Sequence, residues 1–89
     1  LAQNYPNPFN PVTTISFSLL QGGITDISIY DISGRKVESI LNRTINSGNH
    51  HIKYNASNLP SGMYFYSILV SSKGGKTLFS STKKMILMK

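Results

Sequence analysis

Thr13-Thr14-Ile15-Ser16-Phe17-Ser18-Leu19 alternates polar and apolar side chains without a break. Successive side chains on an extended backbone point to opposite faces. Ile15, Phe17 and Leu19 therefore share one face and Thr14, Ser16 and Ser18 the other, the pattern of a half-buried β-strand. The period returns just downstream. Gln21-Gly22-Gly23 interrupts it, and Thr25 to Tyr30 sets Ile27 and Ile29 against Ser28 and Tyr30 as a second strand. Asp31-Ile32-Ser33-Gly34 reads as a hairpin turn, with an Asp able to accept from its own backbone at the start and a Gly free to take positive φ at the end. Arg35 to Leu41 follows as a third strand.

Further turn signals divide the rest of the chain. After Asn46-Ser47-Gly48-Asn49, the run His50 to Asn55 forms a fourth strand with His50, Ile52 and Tyr54 inward and His51 and Lys53 outward. Asn58 to Gly62 turns the chain into Met63–Ser71, and Ser72 to Gly75 turns it into Lys76–Lys89, a run long enough to bend into two strands. No window carries an i, i+3, i+4, i+7 apolar stripe with helical caps. The turns recur at roughly the 8–12-residue spacing of all-β folds. The expectation is an all-β, antiparallel β-sandwich of about seven strands, two sheets sharing one core.

Composition sets the outer bounds. The chain has 89 residues, 9 Lys+Arg against 3 Asp+Glu for a net charge of +6, 13% charged residues and no Cys. That length holds one small domain with a thin stability margin and no disulfide or thiolate–metal staple. Zinc fingers of the thiolate type, iron–sulfur clusters and thiol nucleophiles are excluded, while the compartment is left open. Charged residues run well below the ~25% of an average domain, which describes the neutral-polar surface of extracellular β proteins. No apolar stretch approaches the ~20 residues of a membrane span, and no basic-then-apolar signal opens the chain. It begins at Leu1 rather than Met, so a region upstream is expected. Leu1–Pro11 holds three of the four prolines and reads as a stiff, extended lead-in, with the body at residues 12–89.

No set of residues suits catalysis. Asp26, Asp31 and Glu38 are the whole carboxylate supply, and Asp31 is already explained by its turn. His50 and His51 are adjacent on a strand and point to opposite faces, so they cannot share a metal without a bulge. No Gly-x-Ser-x-Gly elbow supports a Ser-His-Asp triad. The Gly pairs at 22–23 and 74–75 neither open a helix nor precede a P-loop Lys-Ser/Thr, and they read as hairpin turns. The cations are scattered over several segments, which argues against a nucleic-acid binder even with Tyr64 and Tyr66 as stacking faces. Asn42-Arg43-Thr44 and Asn55-Ala56-Ser57 match the glycosylation triplet, which is short enough to occur by chance, and Pro8-Phe9-Asn10-Pro11 fits PxxP but reads as a rigid opening to the first strand.

Two features ask for more. Met63 to Val70 is apolar on both faces, with Met63, Phe65 and Leu69 on one side and Tyr64, Tyr66, Ile68 and Val70 on the other. Either the strand is central or covered, or one face is a patch for a partner. Met85-Ile86-Leu87-Met88 repeats the pattern, bracketed by Lys83, Lys84 and Lys89. An apolar strand with cationic flanks suits recognition by strand addition, and the lysines serve equally as gatekeepers against aggregation.

Several motifs stand together in order: Leu1, Gln3-Asn4-Tyr5-Pro6-Asn7-Pro8-Phe9-Asn10-Pro11, Thr13-Thr14-Ile15 and Phe17; Ile29-Tyr30-Asp31, Gly34-Arg35 and Val37; Gly48 and His50; Leu59, Ser61-Gly62 and Tyr64-Phe65-Tyr66; Lys83-Lys84-Met85, Leu87 and Lys89. Over essentially the whole chain they resemble the type A C-terminal sorting domain of the type IX (Por) secretion system. Tyr54-Asn55 departs from the aromatic–Asp pair common there, and Ser67 from the basic residue that often follows the aromatic run.

The resemblance implies an Ig-like sandwich that does no chemistry and needs no cofactor. It implies an address at the end of an N-terminally fused cargo, read by the outer-membrane translocon once the cargo has reached the periplasm of a Gram-negative bacterium. The destination is the cell surface or the medium. A sortase-like cysteine peptidase would cut at or before Leu1 and link the cargo to anionic lipopolysaccharide, or release it. The motif positions carried over are Pro6, Asn7 and Pro8 in the lead-in, Gly34 and Arg35 at the hairpin, Gly62 and Tyr64 at the penultimate strand, and Lys83 to Lys89, among them Lys83, Lys84, Met85, Leu87 and Lys89. With Tyr64 and Tyr66 nearby, the last strand is expected to present the face that is read, while the lead-in holds the cargo at a fixed standoff. The rival reading is a carbohydrate- or surface-binding β-sandwich module of a secreted enzyme, resting on exposed tyrosines and a low-charge surface.

Overall fold

The computed structural model describes residues 1–89. Six strands appear and no helix: β1 Val12–Leu19, β2 Gly23–Tyr30, β3 Lys36–Ile45, β4 Gly48–Asn55, β5 Gly62–Ser71 and β6 Thr77–Leu87. They form two antiparallel sheets, one of order β1-β4 and one of order β3-β2-β5-β6. The expected seven strands are thus six. The final run does not bend in two, because no Gly or Pro interrupts Thr77–Leu87 and β5 offers a partner along its length, from Gly62 opposite Leu87 to Ser71 opposite Thr77. A register shift at Val70/Ser71 absorbs the remaining mismatch.

Alternation decides what is inside. Thr13, Ile15, Phe17 and Leu19 of β1 are buried, as are Thr25, Ile27 and Ile29 of β2 and Tyr64, Tyr66, Ile68 and Val70 of β5. These inner faces interdigitate in two apolar clusters, one around Ile15, Ile29, Tyr66 and Met85, the other around Phe17, Ile27, Ile68 and Val70. Both draw on both sheets, so the layers share one interior. Across β1 and β4, Phe17 stacks on His50 with ring centroids 5.3 Å apart, which explains why that histidine faces inward.

The Asp31–Gly34 hairpin forms as its chemistry requires. Gly34 N–H bonds the Asp31 carbonyl at 3.0 Å, and Gly34 takes φ +87°, which a Cβ would disfavour.

The proline-rich opening belongs to this body. Its three X–Pro bonds are cis. Ala2 N–H bonds Ser16 O, and Tyr5 exchanges backbone bonds with Thr14, so residues 2–5 line the free edge of β1. Phe9 then bridges Leu87 in parallel, with Phe9 N–H to Ile86 O at 3.0 Å and Met88 N–H to Phe9 O at 2.9 Å. Phe9 itself is 2% exposed. The segment thus closes the seam between the two sheets, from the edge of β1 to the edge of β6. Such cover is one of the ways in which proteins protect edge strands.

Candidate functional site

The seam is held by a buried polar cluster. Tyr66, on β5, sends its hydroxyl into the lead-in, donating to Ala2 O at 2.7 Å and accepting from Asn4 N–H at 2.7 Å. Burial raises the Tyr66 phenol above its ordinary pKa, against the lowering effect of the Asn4 N–H. The Asn4 amide donates to Thr13 Oγ1 at 2.9 Å and Pro6 O at 3.1 Å, and Thr13 Oγ1 donates to Pro6 O at 2.9 Å. No buried side-chain N or O lacks a partner. A satisfied network of this kind fixes one geometry, here the path of the chain toward Pro6.

Register then sorts the sequence-derived recognition residues into two groups. Tyr64, Tyr66, Met85 and Leu87 point into the core and are 7% exposed or less. Their side chains are closed off from solvent in the folded body, so the outside of the last strand consists of its edge and of Lys83, Lys84 and Lys89. The physical reason is parity: Tyr64 faces Met85 across β5 and β6, and both lie on the side that the two-stranded sheet covers. Tyr64 directs its hydroxyl to Pro60 O at 2.7 Å, anchoring the turn before β5.

Pro6, Asn7, Pro8, Gly34, Arg35, Gly62, Lys84 and Lys89 are exposed, and Lys83 is half-buried. Because Tyr30 pairs with Phe65, Phe65 with Lys84 and Gly62 with Leu87, the exposed candidates of the lead-in, the β2–β3 turn and the two ends of the β5–β6 pair gather at one end of the body. Asn7 Oδ1 accepts from Ile86 N–H at 2.9 Å there, and Lys89 reaches Ser57 O through Nζ at 2.7 Å. Arg35 Nε lies 3.2 Å from Asp31 Oδ2. The Ser33 hydroxyl, followed by the Arg35 backbone N–H, holds the Asp31 carboxyl below its usual range. At this exposure the ion pair orders the turn more than it stabilises the fold.

The two-sided apolar run of β5 is resolved by the same parity. Its Tyr66, Ile68 and Val70 side is core, while Met63, Phe65 and Leu69 lie on the outer face of the four-stranded sheet, where no element covers them. Met63 is 41% and Leu69 43% exposed. Tyr30 and Ile86 join this face by pairing with Phe65 and Met63, a grouping that sequence spacing could not show because it depends on cross-strand register.

The tyrosine argument for a glycan binder weakens in parallel, since Tyr54, Tyr64 and Tyr66 are buried. Tyr54 donates to Glu38 Oε1 at 2.7 Å, and burial, then that carboxylate, push its phenol up. His51 Nδ1 meets Ser16 Oγ at 3.0 Å and His50 Nε2 meets Asn46 O at 2.8 Å, so the two rings serve different strands and turns. No group of three or more His, Cys, Asp or Glu side chains is placed to hold a metal.

In comparison with known proteins, a family model described as the secretion system C-terminal sorting domain matches residues 3–88. No curated protein and no solved structure matches.

Proposed function

Because the chain belongs to the secretion system C-terminal sorting domain family, we propose that it is the non-catalytic address of a protein exported by the type IX route. A cargo fused ahead of Leu1 is carried through the outer-membrane translocon to the cell surface or beyond, and a sortase-like cysteine peptidase separates the two at or before Leu1. Two antiparallel sheets sharing one core support the Ig-like sandwich that this reading expects. The observation that carries the reading is the match over residues 3–88, lead-in and last strand included.

Within this reading the motif residues divide by task. Tyr66, Asn4, Phe9, Met85 and Leu87 shape the body, and the exposed end with Pro6, Asn7, Pro8, Gly34, Arg35, Gly62 and Lys89 is what the translocon meets. The lead-in fixes where a cargo joins, because it is bonded to β1 and β6 rather than free.

The test is a reporter carrying an export signal and residues 1–89, expressed in a bacterium with an intact type IX system. Surface delivery, read by protease accessibility on whole cells, is expected with the chain and lost in a strain without the translocon. Delivery that persists in that strain, or a reporter that stays periplasmic in the intact one, overturns the proposal.

A further inference from the structure

The lead-in covers only part of the β6 edge. Ile86 N–H and C=O point outward to Asn7 and Phe9, and Lys84 O accepts from Gln3 Nε2 at 2.7 Å. Backbone groups alternate in direction along an antiparallel strand, so Thr82 and Ser80 present their N–H and C=O groups on that same edge. No backbone bond from the lead-in reaches them. Beside them the seam opens into a groove of about 430 Å³ lined by Leu1, Leu19, Leu20, Leu78 and Phe79. Leu20 is fully exposed and Phe79 37% exposed.

Charge identifies what fits. No Asp or Glu follows Glu38, whereas Lys76, Lys83 and Lys84 flank this stretch. Asp26, two strands across the sheet from Ser80, sits on the outer face and is engaged by Ser28 Oγ at 2.6 Å. We propose that the open half of the β6 edge, Leu78 to Lys83, receives an extended acidic segment of a partner protein as an added strand. Its backbone pairs with Ser80 and Thr82, apolar side chains enter the groove, and carboxylates meet the lysines. The lead-in demonstrates that this edge accepts an extended chain, since it does so at the C-terminal end of the same strand, where Phe9 N–H bonds Ile86 O four residues beyond Thr82. A second copy fits poorly, because each carries +6. The inference deepens the sorting reading by giving the chemistry of what is recognised. It rests on that reading for the compartment in which the partner is met, not for the binding itself, and it places a second contact along β6 away from the Gly62–Leu87 end.

The experiment is an amide NMR titration of the 89-residue chain with a capped peptide alternating valine and glutamate, and with its valine–lysine counterpart, at physiological ionic strength. Expected are perturbations centred on Ser80 and Thr82, slowed hydrogen exchange at those two amides, and affinity for the acidic peptide at least about tenfold above the basic one. Thr82→Pro removes an edge donor where proline is tolerated, and Lys84→Glu reverses a flanking charge without touching the core. Each should weaken the acidic peptide about tenfold or more, with the core amides of Ile27 and Ile68 unmoved, so a Thr82→Pro chain that fails to fold leaves Lys84→Glu to decide. Equal affinity for the two peptides, perturbations confined to Met63 and Phe65, or self-association through this edge overturns the proposal. Failure here leaves the reporter result intact, and failure of the reporter leaves this binding measurable.

Discussion

Replacing Tyr66 by Phe deletes one oxygen from the seam and leaves the ring in its fully buried place. That oxygen donates to Ala2 O and accepts from Asn4 N–H, at 2.7 Å each. Without it the Asn4 N–H, in a residue 2% exposed, has no partner and no route to water. A typical net hydrogen bond contributes about 1 kcal/mol, and a buried group left unpaired costs about 1–3 kcal/mol. The two together give about 2–4 kcal/mol, against a total of roughly 4–13 kcal/mol for a domain of this size. In a small domain each kcal/mol moves Tm by about 4–8 °C, so the variant should melt roughly 8–32 °C lower. The assay is thermal unfolding by near-ultraviolet circular dichroism, paired with amide exchange at Tyr5 and Thr14, which exchange backbone bonds across the seam. If the lead-in is integral, the exchange of both amides rises with the fall in Tm. A melting point within about 3 °C of the parent with unchanged exchange would refute the clamp.

Removing Lys83–Lys89 takes Met85 and Leu87 out of the core. It should abolish cooperative unfolding, whereas removing Met88 and Lys89 alone should leave it; Leu87→Ala, at about 2–5 kcal/mol, gives the graded version by chemical denaturation. Gly23→Ala would place a Cβ 2.7 Å from Ser71 O and 3.0 Å from Val70 Cγ1. The β2–β5 pairing must then shift, and a loss of about 1–3 kcal/mol is expected in the same denaturation assay. Tyr54 and Tyr66 have raised phenol pKa values, so the unfolded chain ionises first. Their contribution is complete below the ordinary value of 10.0 and declines as pH rises through it, and a pH series of melting points should show an alkaline limb that Tyr66→Phe flattens.

Period-two patterning made the strands legible, because a strand with one buried face must write that face into its sequence. Ile15, Phe17 and Leu19 lie inside as their spacing predicts, and so do His50, Ile52 and Tyr54 on β4, with Ile52 and His50 only partly covered. The Asp31–Gly34 turn was legible for a local reason, since its hydrogen bonds close within the motif. The lead-in was not. Its prolines erase any period, and Phe9 is buried only because β6, far away in the chain, offers an edge beside it. The candidate site was legible only in part for a related reason. Motif residues such as Tyr64, Met85 and Leu87 are recognisable in sequence whether they serve a partner or the interior, and cross-strand parity alone tells the two apart.

Phe9 and Leu87 sit side by side although nearly the whole chain lies between them. A polypeptide synthesised from its N-terminus therefore exposes its opening segment first, an aromatic ring in water and Asn4 without Tyr66. Closure waits for the final strand. The order of synthesis thus becomes a timer: however early the first residues are made, the compact form exists only after the last ones are added.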